Sequence, residues 1–285
     1  MPPEGEDPDR LTFWQLGAVR NVQRAARKKG DQPLSPEDWA AYFKNRDSAF
    51  ERTLSGILRA LPSSPRCGIC GAPFSGIGAR LVRPLGYWPS RKNPSICATC
   101  VEASPPGGMT TDTGVLFADL RGFTRISEER DPQELSALLR RFYGCAEDVL
   151  LPEALIDKLI GDEVMALYLP IYRRFEEAAP LMLRHARELL RKVGYGDREP
   201  LFAEVGIGLD YGEAFVGNVG EGSVRDFTAI GDVVNVASRL QSEARGGEIV
   251  ASARLVEHLP EIEGERVELS LRNRTEPVVA YRISR

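Results

Sequence analysis

The second half of the chain changes hydrophobic period again and again. GVLFADL (114–120) is a near-continuous apolar run and reads as a strand, whereas DPQELSALLRRFYGCAEDVLL (131–151) has apolar residues at helical spacing behind an acidic start. IDKLIGDEVMALY (156–168) reads as two short strands around a tight turn that holds Asp162. FEEAAPLMLRHARELLRKV (175–193) is helical, with Pro180 as a point of breakage or kinking. LFAEVGIGLDYGEAFVGNVG (201–220) reads as two strands joined near Asp210–Gly212. RDFTAI (225–230) follows as a strand, DVVNVASRLQSEA (232–244) as a helix with Asp232 as its cap, and GEIVAS and RVELSLRNRTEPVVAYRI supply the last strands. Strands and helices interleave without a strict βαβ rhythm, which predicts an α/β sandwich built on a mixed sheet.

The first 110 residues follow other patterns. Residues 10–29 have helical spacing, with Leu11, Trp14, Val19 and Val22 among the apolar positions and Gly30 as a stop. A second helix opens at SPED with Ser35 as N-cap and Pro36 at N1, and it ends before Pro62. Its apolar residues include Trp39, Phe43, Phe50, Leu54 and Leu58, and this helix is expected to help pair subunits. The stretch between the two cysteine pairs is loop-like, and EASPPGGMT (102–110) reads as a linker. The expected organisation is a helical region at 1–66, a cysteine module at 67–101, a linker at 102–110 and an α/β domain at 111–285.

Composition narrows the class. Of the 285 residues, 42% are hydrophobic and 27% charged, enough for a packed core. No run approaches the roughly 18 apolar residues that span a bilayer, and the acidic, proline-rich start is wrong for a secretory signal. A cytoplasmic protein without membrane insertion is therefore expected. Residues 1–110 carry 15 Lys and Arg against 10 Asp and Glu, while residues 111–285 carry 22 against 31. Neither part is basic enough to imply nucleic acid, but the contrast suggests two modules.

Four of the five cysteines form two Cys-x-x-Cys pairs, Cys67 with Cys70 and Cys97 with Cys100. Each pair can offer two thiolates from one tight knuckle, and two knuckles complete a tetrahedron. Zinc is the first expectation, an iron–sulfur cluster the alternative. Reduced structural thiols or a redox disulfide form the bland reading. Cys145, alone in a helical pattern, is assigned no role.

FADLRGFT (117–124) places Asp119 at the end of an apolar strand, before a glycine-containing turn of the kind that presents backbone N–H groups to phosphate. Asp119 and Asp162 both lie at strand ends or turns, and two carboxylates brought together there can hold Mg²⁺ on a triphosphate. Read singly, each is an ordinary turn aspartate. GIGLDYG is no dinucleotide fingerprint, because its third glycine comes one place late.

Taken in order, FADLRGFT, DKLIGDEVMA and FTAIGDVVNVASRL (227–240) resemble the catalytic domain of class III nucleotidyl cyclases, especially bacterial adenylate cyclases. The resemblance covers roughly residues 111–285 and implies the mixed-sheet α/β sandwich of the class III cyclase type. By that resemblance Asp119 and Asp162, with the Leu120 backbone, hold two Mg²⁺ or Mn²⁺ ions. Gly122, Phe123 and Thr124 lie on the substrate phosphates, and Arg272, or else Arg274, contacts the terminal ones. Lys158 and Thr228 read the base, while Asn235 and Arg239 position the ribose and stabilise the transition state. Lysine only donates and threonine can accept, which suits adenine better than guanine. The implied activity is conversion of ATP to cyclic AMP at sites shared across a homodimer. Cyclases of GTP or a pyrimidine triphosphate, and a silent nucleotide or metal sensor, are the alternatives. Threonine at 228 also resembles the bicarbonate-responsive subgroup.

Overall fold

The computed structural model describes residues 60–61, 65–67, 70–90, 94, 96–98, 107–151, 153–169, 175–196, 200–221, 224–260, 262–270 and 276–284. The helix expected at 10–29, and nearly all of that expected before Pro62, lie outside the described residues. Two compact units are present: residues 1–109 with 217–228, and residues 110–216 with 229–285.

In the first unit, two short bridges flank a small helix. Arg66 pairs with Pro73 and Pro89 with Cys97. Helix α1, Gly76–Val82, buries Gly78, Ala79 and Val82 and runs into a 3₁₀ turn at Arg83–Leu85. The sequence pattern suggested only a loop here. A run of small and apolar residues behind Ser75 is enough for two helical turns.

The sheet has eight strands. In chain order the elements are β1 (Gly107–Leu120), α2 (Phe123–Glu129), α3 (Pro132–Leu150), β2 (Leu155–Ile160), β3 (Glu163–Tyr168), α4 (Phe175–Leu190), β4 (Val205–Glu221), β5 (Val224–Ile230), α5 (Asp232–Glu243), β6 (Glu248–Ser252), α6 (Ala253–Val256), β7 (Glu265–Leu269) and β8 (Val278–Ser284). The strand order is β2-β3-β1-β4-β6-β8-β7, with β5 on β4. β4 and β6 run parallel, while β1–β3, β2–β3, β6–β8 and β7–β8 are antiparallel, so the sheet is mixed as expected. The strand β1 starts at Gly107, so the last four residues of the segment read as a linker are strand.

Each face of the second unit's sheet has its own core. On one, Leu116, Ala118, Ile207, Leu209, Ile249 and Ala251 pack with Phe142 of α3 and Met182 and Leu189 of α4. On the other, Val236 and Leu240 of α5 pack with Val250 and Ala280. Each large apolar side chain removed from water contributes roughly 1.5–3 kcal/mol. Helix α3 forms where the pattern predicts. Asp131 caps it by accepting from the Gln133 N–H at 2.7 Å, Pro132 opens it, and the buried Phe142, Ala146, Val149 and Leu150 recur at helical spacing. Helix α4 runs through Pro180 without ending there.

One expectation fails. Residues 205–221 form a single long strand, not a hairpin turning at Asp210–Gly212. Asp210 is fully buried, accepts from the Tyr211 N–H at 2.8 Å and is gripped by two guanidinium nitrogens of Arg254. An aspartate paired with a guanidinium need not face water, so the turn signal is void. The glycines before it serve packing. A Cβ on Gly208 would collide with the Ala237 carbonyl and the Gln241 N–H, so glycine lets α5 lie directly on β4.

Candidate active site

The site begins where β1 and β3 end together. Asp119 is the cross-strand partner of Glu163, and the Leu120 N–H donates to the Asp162 carbonyl at 3.3 Å. Between β2 and β3 the chain reverses through Gly161 and Asp162 alone. Gly161 has φ +61°, the left-handed region that a two-residue hairpin needs. The Tyr143 hydroxyl of α3 donates to the Gly161 carbonyl and ties the turn to the helix. The pairing therefore carries Asp162 to the side of Asp119, with the two carboxyl groups in hydrogen-bonding reach of each other.

The surroundings of Asp119 are specific. Its Oδ2 accepts from an Arg121 guanidinium nitrogen at 2.8 Å and from Gln241 Nε2 at 3.1 Å. Arg121 also donates to the carbonyls of Ser242 and Ala244, at 3.4 and 3.3 Å, and so closes the C-terminal end of α5. Burial first, and then Asp162, push the Asp119 carboxyl up to about 7, against the pull of Arg121. Glu163 is also raised, by burial and then by Asp162. A pair of carboxylates held this close and partly desolvated is poorly compensated by one arginine. The donor set, all oxygen and negatively charged, fits a hard divalent cation.

The other expected residues are spread over several elements. Gly122, at φ +72°, is the residue before α2, and Phe123 and Thr124 open that helix. Lys158 follows a β-bulge: Ile156 pairs with Ala166 and Lys158 with Met165, with Asp157 between them buried. The bulge re-aims the strand, leaving Lys158 half-buried while Leu159 and Ile160 are 38% and 53% exposed. Thr228 is buried on β5, in the first unit. Asn235 is exposed and Arg239 half-buried on α5, one turn apart. At about 100° per residue, Arg239 leaves α5 roughly opposite to Gln241, the residue that bonds Asp119. Cys67, Cys70 and Cys97 come together in the first unit. Cys100, Arg272 and Arg274 lie outside the described residues.

Three residues of the site were not legible in advance: Arg121, Gln241 and Glu163. Gln241 carried a usable signal, a polar side chain on the apolar face of an amphipathic helix, where it is buried. Arg121 and Glu163 are ordinary charged residues at strand ends and gain meaning only from the pairing of β1 with β3.

The adenylate and guanylate cyclase catalytic domain family matches residues 108–279. An adenylate cyclase of Anabaena cylindrica is 36% identical over 132 residues, 45% of this chain and 26% of that protein. Adenylate cyclase 1 of Rhizobium meliloti is 33% identical over 149 residues, 50% of this chain and 22% of that protein. The matched stretch thus spans about a quarter of each of these relatives. Among solved structures, the adenylyl cyclase CyaB from P. aeruginosa is 27% identical, with a TM-score of 0.56 over 62% of this chain and 95% of that one. The guanylyl cyclase Cya2 is also 27% identical, with a TM-score of 0.53 over 62% of this chain and 93% of that one.

Proposed function

Because the chain belongs to the adenylate and guanylate cyclase catalytic domain family, we propose that it converts ATP to cyclic AMP and pyrophosphate at sites shared between two copies of the chain. The observation that carries this reading is the convergence of Asp119 and Asp162 at the open end of β1 and β3. Asp119 and Asp162 would hold two Mg²⁺ or Mn²⁺ ions, with the Leu120 carbonyl beside them. Bound there, such ions neutralise the triphosphate and lower the pKa of the ribose 3′-hydroxyl. The 3′-hydroxyl loses its proton to solvent, its oxygen bonds to the α-phosphorus, the α–β bridging bond breaks, and that bond's electron pair leaves with pyrophosphate.

The remaining roles belong to side chains. Arg239 offers a planar, permanently charged fork to the α-phosphate as negative charge shifts there, and Asn235, one turn away, orients the ribose. Gly122, Phe123 and Thr124 are assigned to the phosphates, and Arg272, or else Arg274, to the terminal ones by the family resemblance. Lys158 donates to an adenine ring nitrogen, and the Thr228 hydroxyl accepts from the amino group. Gln241 and Arg121 position Asp119, and together with the backbone contact to Asp162 they hold the pair ready.

Two observations favour a site completed by a second copy. Arg239 leaves α5 on the side away from its own Asp119, so the arginine of one chain serves the carboxylates of another. Leu159 and Ile160, apolar and exposed beside the Asp162 turn, are surface that water alone covers poorly. Among the described residues no helix is long and apolar enough to cross a membrane.

The test mixes two inactive variants. Asp119→Ala and Arg239→Ala chains are each expected to lose activity, for the arginine by about 100- to 1,000-fold. A mixed dimer rebuilds one intact site, so activity returns on mixing. Failure to recover, with mixed dimers demonstrated, overturns the shared site. A second reading, GTP as substrate, has support in the equal identity of this chain to a guanylyl cyclase. Product formation from each nucleotide with Mn²⁺ separates the two.

A further inference from the structure

The first unit contains a cluster that the cyclase chemistry does not use. The sulfur atoms of Cys67, Cys70 and Cys97 all lie within 4.8 Å of one another, and those of Cys70 and Cys97 are 3.6 Å apart. None of the three is in a disulfide.

Two backbone knuckles produce this convergence. At the first, the Gly71 N–H donates to the Cys67 carbonyl at 2.9 Å and the Cys67 N–H to the Ala72 carbonyl at 2.8 Å. Gly71, at φ +75°, lets the chain curl back so tightly. At the second, the Ser90 N–H donates to the Ile96 carbonyl and the Ala98 N–H to the Trp88 carbonyl, both at 2.8 Å, which brings Cys97 inward. Backbone N–H groups then face sulfur. Those of Cys70 and Cys97 donate to Cys67 Sγ at 3.5 and 3.3 Å. Two donors are thus aimed at one sulfur. Cys67 and Cys97 are buried, as are Ala72, Phe74, Ile96 and Ala98 around them.

We propose that these cysteines bind one Zn²⁺ as a structural site, with the thiolates on a single ion and not on an iron–sulfur cluster. Distance decides between the two. Tetrahedral zinc with bonds of about 2.3 Å sets its sulfur ligands about 3.8 Å apart, close to the Cys70–Cys97 separation of 3.6 Å. Cluster thiolates are shared out over different irons across a sulfide core, so three cannot all stand this close. A zinc ion so held ties the two knuckles together. It clamps a short segment whose own apolar core is small.

The experiment is elemental analysis of the full chain, purified under reducing conditions without a polyhistidine tag, with an absorption spectrum and a labile-sulfide assay. One zinc per chain, no visible colour and no sulfide are expected. A Cys145→Ser chain keeps its zinc, and Cys67→Ser and Cys97→Ser chains each lose it. Iron in any stoichiometry overturns the proposal. So does a metal-free chain that takes up no added Zn²⁺ in competition with a chromophoric chelator, or one with a Cys70–Cys97 disulfide by mass spectrometry. Because the parent chain alone gives this answer, misfolding of a variant does not blur it.

Discussion

Asp119 accepts hydrogen bonds from both Arg121 and Gln241, yet its carboxyl is pushed up to about 7, because burial and Asp162 outweigh one guanidinium. Its folded value lies above the ordinary 3.8, so the fold favours the protonated form. The stability this confers is complete below about pH 4 and disappears as pH rises towards 7. Above that, without a cation, the carboxylate pair opposes folding. Asp119→Asn removes the cost along with the site. In protein stripped of divalent ions, the variant's melting temperature at pH 8 is expected to exceed the parent's, by about 2–4 °C per kcal/mol recovered, and to match it more closely near pH 5. Thermal scans at the two pH values check this, and a variant less stable than the parent at pH 8 contradicts it. Mn²⁺ binding to the parent, measured by calorimetry, is expected to tighten from pH 6 to pH 8.

Elements hold these residues through contacts that admit little change. Gly208 lets α5 lie on β4, and α5 carries Gln241 to Asp119 and presents Asn235 and Arg239 outward. Gly208→Ala drives a methyl group into the helix backbone. It is expected to cost about 1–3 kcal/mol in chemical denaturation and to lower activity in the fraction that stays folded. Arg254 on α6 neutralises the fully buried Asp210 on β4. Arg254→Ala leaves that carboxylate without its cation and is expected to cost about 2–3 kcal/mol. This is less than the roughly 3–5 kcal/mol of a fully buried pair, because Arg254 is itself 42% exposed. Restoring stability with Asp210→Asn in the same chain is the check, since a neutral amide needs no counter-charge.

For the whole molecule, the proposed shared site, with Gln241 and Arg239 leaving one helix in opposite directions, implies that the single chain is an incomplete catalyst. Specific activity is therefore expected to fall on dilution, in step with dissociation followed by light scattering. Activity that stays constant into the monomer range contradicts the shared site. Replacing Leu159 and Ile160 together by serine is expected to weaken self-association while leaving the melting temperature of the dissociated chain nearly unchanged, because both side chains are already exposed.

Much of the site was legible in the chain itself. Asp162 sits in a tight turn because Gly-Asp between two apolar runs has few other uses, and Asn235 and Arg239 share a helix side because their spacing is one turn. The ends of α3 and the Cys67–Cys70 pair could be read for the same reason: short-range sequence governs caps, hairpins and knuckles. Tertiary structure alone decided the rest. That Asp119 meets Asp162 depends on β1 pairing with β3, and that pairing depends on the core behind them. That Asp210 belongs in a continuous strand depends on Arg254, 44 residues later, reaching back to neutralise it. Arg121, Gln241 and Glu163 acquired roles only once distant backbones had brought them to one carboxylate. Local order follows from neighbours in sequence, while electrostatic partners are chosen by packing.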